Sequence, residues 1–406
     1  MGWVHIAPTR GAQTDLSATW FPSAWSSRNH KSLAGTDDDS KAMSLTADYV
    51  VVGSGLTGAT IARLLADAGR EVIVLERRSH VGGNVHDHVH SSGIRIHTYG
   101  PHYFRTNSQN VWRFVNRFAS FHPYQAVVKS WVDGSLESWP VTEEYIQRVV
   151  GPSWAPAFQG TPRNFEEACL RMMPLAVYKK FVEGYTQKQW GVKPRTLVAT
   201  LAGRFEVRRN GDARLKTQRY QGIPTRGYTA FMEAMLAGIP VIVDFDYLLR
   251  RQEIRARRAL VFTGAIDEFF DFDLGRLRYK AQQRVHKYLP GVDFVFPVGQ
   301  VNYPSLEDGP HIRTLEWKHM MPRDQLSSMK GSVLTTERPC DATLPNEYEY
   351  PFPDTVNRLL WQRYSERAAR IPKLLIAGRL GEYRYYDMDQ AIARAMQHAQ
   401  ALLTYE

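Results

Sequence analysis

Apolar, β-branched residues run from Tyr49 to Val52 and stop at Gly53-Ser54-Gly55-Leu56-Thr57-Gly58. An amphipathic stretch follows, then a second apolar run, Val72-Ile73-Val74-Leu75, closed by Glu76. This periodicity predicts strand, tight turn, helix and strand. In such a unit Gly53 permits the turn, Gly55 lets the backbone approach a pyrophosphate, and Gly58 lets helix and strand pack closely. The helix start then offers free N–H groups to phosphates. Glu76 stands 21 residues after Gly55, where a carboxylate accepts ribose hydroxyls. The unit reads as a binder of FAD or NAD.

The unit spans about 48–105. A helical pattern follows at 110–118, and apolar runs at 124–131 and 136–139 flank Asp133-Gly134, a hairpin signal. Residues 141–215 are helical by pattern, broken by Pro152, Pro156, Pro162 and Pro174, and read as an inserted lid. The strand returning to the dinucleotide fold is expected around Phe262, so that 262–275 and 373–406 complete that fold. Residues 277–320, with intervening segments, are expected to form an antiparallel sheet. A last helix begins near Asp387 with Ile392, Met396 and Ala399 on one face. The fold expected is therefore α/β: a Rossmann-like FAD-binding domain, an inserted helical domain and an antiparallel sheet domain. Residues 1–47 lack any period and read as a disordered extension, with Met43 a candidate true start.

Composition narrows the class. At 406 residues with 43% hydrophobic and 23% charged, the chain is long and apolar enough for a large core. Its net charge is +10, and residues 1–47 carry as many acids as bases, so the excess sits in the body. The arginines are scattered rather than blocked, which favours small phosphorylated ligands over nucleic acid or an anionic membrane. Only Cys169 and Cys340 occur, without metal-ligand spacing, so neither a disulfide framework nor a metal is expected. No run of eighteen apolar residues and no leader pattern is visible, and the chain reads as cytoplasmic, without a membrane span.

More specific phrases follow the acid: Arg77-Arg78-Ser79-His80-Val81-Gly82-Gly83-Asn84, then Tyr99-Gly100-Pro101-His102-Tyr103-Phe104-Arg105-Thr106. Later come Gly184-Tyr185-Thr186-Gln187-Lys188-Gln189-Trp190, Tyr220-Gln221-Gly222-Ile223-Pro224, and Gly378-Arg379-Leu380-Gly381-Glu382-Tyr383-Arg384-Tyr385-Tyr386-Asp387-Met388. From about Asp48 to the C-terminus this order resembles the UDP-galactopyranose mutase family. The resemblance implies FAD, active when reduced, with flavin N5 as nucleophile at the anomeric carbon and no net redox change. It implies a UDP-linked, or alternatively dTDP-linked, sugar as substrate, and members are often homodimers.

What the resemblance implies for residues is specific. Arg204 matches a mobile-loop arginine and Arg313 a second cation on the diphosphate; forked guanidinium groups suit that role. Tyr185 and Trp190 fall at the uracil pocket, Tyr350 and Tyr385 beside the phosphates and sugar, and His102 and Arg379 near the flavin. As bare residues, the arginines would be solvated and the aromatics core. Cofactor contacts are expected from Gly53, Gly55, Gly58, Glu76, Arg77, Gly83, Asn84, Arg379, and Asp387-Met388 at the last helix start. Lys280 stands where the family shows a flavin-contacting arginine, and loses the planar fork. The rival readings are a flavin amine oxidase or desaturase, an inactive nucleotide-sugar binder and, last, an NAD-only dehydrogenase, which leaves the C-terminal phrase unexplained.

Overall fold

The computed structural model describes residues 45–404. The expectations for the extension and for Met43 as the start therefore lie outside the described residues, except at its end. Leu45, Thr46 and Ala47 are not foreign to the fold: they open the first strand, paired with Ile254, Arg255 and Ala256. Asp48 interrupts the apolar pattern, which hides the strand's true start from a reading of periodicity.

Five parallel strands make the dinucleotide-binding sheet, in the spatial order Val241–Ile242, Val72–Leu75, Leu45–Val52, Ile254–Phe262, Leu374–Ile376. Both faces are covered, as a parallel sheet requires. Tyr49 and Val51 point into one core with Ile61, Met232 and Ile392 from the helices Leu56–Asp67, Tyr228–Leu236 and Met388–Thr404. Val50 and Val52 point into the other with Phe262, Phe269 and Tyr364. The returning strand begins at Ile254, earlier than expected, because its alternating arginines mask the period.

Gly58 closes the strand–helix packing. A Cβ there would lie 2.0 Å from the Gly53 carbonyl oxygen and 3.2 Å from Val51 Cγ1, and backbone cannot yield. Gly58→Ala is expected to lift the helix from the sheet and cost about 1–3 kcal/mol. Urea unfolding measures this; an unchanged midpoint would disprove the close approach.

The second sheet has seven strands and is mostly antiparallel, in the order Tyr350–Pro351, Tyr279–Pro290, Gly331–Asp341, Arg313–Glu316, Gln300–Asn302, Val128–Val132, Ser135–Trp139. It takes in the expected hairpin and extends well past residue 320, because the eleven-residue Gly331–Asp341 strand pairs along nearly all of Tyr279–Pro290. Short helices lie between residues 143 and 204, with none over 151–164, around a core that includes Val141, Phe165, Tyr178 and Val182. Cys169 is buried in that core.

Asp267 introduces a pH dependence. It is fully buried, one carboxylate oxygen accepts from the Leu277 N–H at 2.8 Å, and the other has no partner. Burial pushes this carboxyl up to about 6. The folded state thus holds the proton more tightly than the unfolded chain, and stability from this group falls as pH rises from about 4 to about 6. Asp267→Asn keeps the acceptor without the charge, so at pH 8 it is expected to gain up to about 3 kcal/mol. Melting curves at acid and alkaline pH test this; a gain that does not shrink in acid would refute the assignment.

Candidate active site

The carboxyl ends of the parallel strands open on one cleft, at Gly53, Glu76, Thr263 and Gly378, with about 1160 Å³ of empty space including its mouth. This is where an open α/β sheet binds its ligand. Two glycine loops form its throat. A Cβ on Gly83, whose φ is +54°, would come within 3.0 Å of Gly55 Cα, so only bare backbone fits. The two loops touch, and the Gly82 N–H donates to the Ser54 carbonyl at 3.2 Å. The helix Met388–Thr404 brings its first residues, Met388 and Ala391, to the same wall, where its dipole favours negative charge.

Side chains fix this frame. One Glu76 oxygen accepts from the Ser54 N–H at 2.9 Å and the Ser54 hydroxyl at 2.6 Å; the other accepts from the Arg78 N–H at 2.9 Å. The acid is thereby aimed, with lone pairs to spare, on the cleft wall. Arg77 reaches Glu268 at 2.9 Å, and Asn84 bridges Arg78 at 3.0 Å and the Tyr348 carbonyl at 3.2 Å. His102 also lines the cleft. Its N–H donates to His97 Nδ1 at 3.0 Å, its carbonyl accepts from the Tyr228 hydroxyl at 3.0 Å, and its own Nδ1 is buried without a partner. Burial holds this imidazole well below its ordinary pKa, so it is neutral at physiological pH. A neutral ring with an open nitrogen can position a cofactor or substrate better than it can carry charge.

Beside the cleft stands a cluster of arginine and tyrosine. The Tyr350 and Tyr385 rings are parallel, 7° apart in tilt with centroids at 5.9 Å. Arg204 lies over the Tyr385 ring at 4.1 Å and its Nη2 donates to the Tyr385 hydroxyl at 3.0 Å. Arg379, on the cleft wall, lies 4.9 Å over Tyr385 and is anchored by the carbonyls of Glu349 at 3.1 Å and Tyr386 at 2.6 Å. Burial pushes the Tyr350 hydroxyl up to about 12, so it stays a donor. The Tyr185 hydroxyl is also raised by burial, although Arg313 and Arg204 pull it down, which puts it in the same field.

Arg313 enters through sheet register. Arg284, Glu337, Arg313 and Asn302 are lateral neighbours on four strands and so share one face. Glu337 is fully buried between Arg284, at 2.9 Å, and Arg313. Burial alone would raise this carboxyl, but the two guanidinium groups hold it below the usual range. Arg284 also forks onto both Glu349 oxygens at 2.8 Å. Gly100, at φ +90°, presses on this network: a Cβ there would meet Glu337 Oε1 at 2.8 Å.

Three expected site residues lie elsewhere. Trp190 is 5% exposed and packs edge-on against Phe352 in the helical core, the ordinary place for an apolar ring. Lys280 does not line the cleft; its buried stem ends in an ion pair with Asp341 at 2.9 Å, set by strand register. Asp387 also stands off the cleft lining, its carboxylate held by Arg105 at 3.0 Å, while its carbonyl starts the last helix by accepting from the Ala391 N–H. Sequence reading missed Arg284, Glu337 and Glu349. Arg284 and Glu337 lie 53 residues apart and meet only through pairing, so no local signal exists. Glu349 was legible, as the acid between Tyr348 and Tyr350.

The sequence model of the UDP-galactopyranose mutase family matches residues 180–385, and that of an NAD(P)-binding Rossmann-like domain matches 51–118. A dTDP-fucopyranose mutase of Escherichia coli is 34% identical over 86% of this chain and 97% of its own length. A probable UDP-galactopyranose mutase of Klebsiella pneumoniae is 33% identical over 88% of this chain and 95% of its own. Among solved structures, a reduced UDP-galactopyranose mutase superposes with a TM-score of 0.67 at 15% identity, over 89% of this chain and 96% of that one. A putrescine oxidase variant shares the fold at 10% identity and a TM-score of 0.55, over 89% and 99%. By full-length similarity to these mutases the chain belongs to the UDP-galactopyranose mutase family and is an isomerase.

Proposed function

We propose that the cleft holds FAD and that, with the flavin reduced, the chain interconverts UDP-galactopyranose and UDP-galactofuranose. The observation that carries this reading is the pair of arginines, Arg204 and Arg379, converging on one tyrosine ring from opposite sequence segments at the edge of a dinucleotide cleft. An isomerase acting on a nucleotide sugar needs cations where a diphosphate leaves and returns, next to its cofactor. Reduced FAD supplies a nucleophile for the anomeric carbon.

The chain's own residues do the rest. Gly53, Gly55, Gly58 and the Met388 helix start bind the cofactor's phosphates and pyrimidine end, Gly83 and Arg77 flank it, and Glu76 takes its ribose hydroxyls. Arg204 and Arg313 bind the substrate diphosphate; Arg313 spends its Nε on Glu337 and keeps its terminal nitrogens for phosphate oxygens. The Tyr350 and Tyr385 hydroxyls donate to the same oxygens, and Tyr185 stacks on the base. His102, neutral and backbone-anchored, orients flavin and sugar. The helical segment 141–215, carrying Arg204 near its end, closes as a lid and excludes water.

A second reading replaces UDP-galactose with a dTDP-linked deoxyhexose, favoured by the Escherichia coli relative. The test is a visible spectrum of the purified chain, followed by dithionite reduction with UDP-galactofuranose and then with dTDP-fucofuranose. A flavin spectrum and conversion only when reduced are expected. Flavin with conversion of the dTDP sugar alone selects the second reading. Consumption of oxygen with an amine, and no isomerisation, would replace both by an oxidase.

A further inference from the structure

Scattered along the sequence, the basic excess looks assignable to small phosphorylated ligands. In three dimensions much of it lies elsewhere. Residues 250–278 and 355–373 hold twelve arginines and lysines against six carboxylates, and Asp48, Glu71 and Asp341 from other segments pair with Arg257, Arg258 and Arg278, which leaves an excess of about three. None of those twelve lines the cleft. The two segments are packed together: the Arg278 N–H donates to Asn357 at 2.9 Å, the Leu274 N–H to the Tyr364 hydroxyl at 2.9 Å, and Arg367 pairs with Asp273.

The helix Thr355–Ala368 dominates this surface. Its inner face is Asn357, Tyr364 and Ala368, all buried. On the outer face Val356, Leu359, Arg363 and Glu366 follow one another at steps of three and four, a single stripe, and Arg370 stands in the turn just past the helix end. Val356 is 75% exposed and Leu359 57% exposed. Arg358, Arg363 and Arg370 are exposed and make no ion pair among the described residues. Glu366 is the one acid of the helix, so the stripe lacks the alternating charge of a solvated surface helix. Lys373, exposed just beyond, spends its Nζ on the Arg257 carbonyl at 2.8 Å. Aliphatic tips beside unpaired arginines, on a helix lying flat along the body, match an interface between headgroups and acyl chains. A nucleic acid would call for exposed stacking rings, but Trp361 is turned inward, its indole N–H on the Gly381 carbonyl at 3.0 Å.

We propose that this helix and its basic flanks dock the enzyme on an anionic lipid surface. The arginines meet the headgroup phosphates while Val356 and Leu359 enter the boundary of the acyl region. No residue of 355–373 lines the cleft, so docking through this helix leaves the site open to a water-soluble nucleotide sugar. The inference does not depend on which sugar is converted.

The test is co-sedimentation of the full chain with vesicles of phosphatidylcholine alone and of phosphatidylcholine with one-third phosphatidylglycerol. Binding to the anionic vesicles only, released by high salt, is the expected result. The triple substitution Arg358→Glu, Arg363→Glu, Arg370→Glu is expected to weaken binding on the order of a hundredfold, at about 1 kcal/mol per basic group. Val356→Ser with Leu359→Ser is expected to weaken it as well. A control with the same change of net charge, Arg113→Glu, Lys287→Glu, Lys330→Glu, is expected to keep binding, and melting curves confirm that each variant folds. No binding by the wild type, or equal loss in the control, overturns the proposal. So does retention on polyglutamate without binding to vesicles, which would assign the surface to an acidic protein.

Discussion

Arg204→Ala is expected to lower kcat by about 10²–10³-fold while leaving flavin content and melting temperature unchanged. Arg204 is exposed and ends a short 3-10 segment, Ala199–Arg204. Its contacts are the Tyr385 hydroxyl and ring, and its carbonyl accepts from Lys216 at 3.2 Å. Little folding energy rests on so exposed a side chain, within about 0.5 kcal/mol. On the proposed function its worth lies in the charge that develops on a departing diphosphate, which a forked guanidinium stabilises more than it stabilises the ground state. Turnover measured beside flavin absorbance separates the two effects. Near-wild-type kcat would remove Arg204 from the site, and loss of flavin would make it structural. Arg204→Lys, keeping the charge without the fork, is expected to recover only part of the loss.

Glu337→Ala is expected to cost about 3–5 kcal/mol of stability and to abolish activity with it. The substitution leaves Arg284 and Arg313 buried side by side without the carboxylate that neutralises them. Arg284 retains Glu349, so Arg313 is the cation left stranded. Because the Glu337 carboxyl is held below its ordinary value, its stabilisation is present above about pH 4 and is lost as pH falls through the folded value. The stabilities of wild type and variant should therefore converge in acid. Urea titrations at neutral and acid pH measure both claims. A difference of less than about 1 kcal/mol at neutral pH would show that water, not Glu337, neutralises Arg313.

The two variants probe different origins of the site. Arg204 was legible in the chain only through its place in a family order of phrases; as one arginine among many it carries no local signal. The dinucleotide unit needed no such help. Gly53, Gly55 and Gly58 between two apolar runs, followed by Glu76, are constrained by backbone geometry within some 25 residues, and short-range constraints leave short-range traces. The last helix was equally plain, its Ile392 and Ala399 buried as the period demands.

Two roles implied by the family resemblance have no counterpart in local pattern. Trp190 packs against Phe352 in the helical core, as a bare apolar ring is expected to do. Lys280 stands opposite Asp341 through strand register. The strand from Ile254 was obscured because arginines occupy its exposed positions.

By itself the sequence determined the Rossmann-like unit and the family, since each is written in local spacing or in the order of phrases. Only the tertiary structure decided that Arg284, Glu337 and Arg313 form one buried row, that Gly100 must lack a side chain beside it, and that segments 250–278 and 355–373 pack into one basic surface. Strand register and helix facing bring together residues far apart in the chain, and a linear pattern holds no record of those distances.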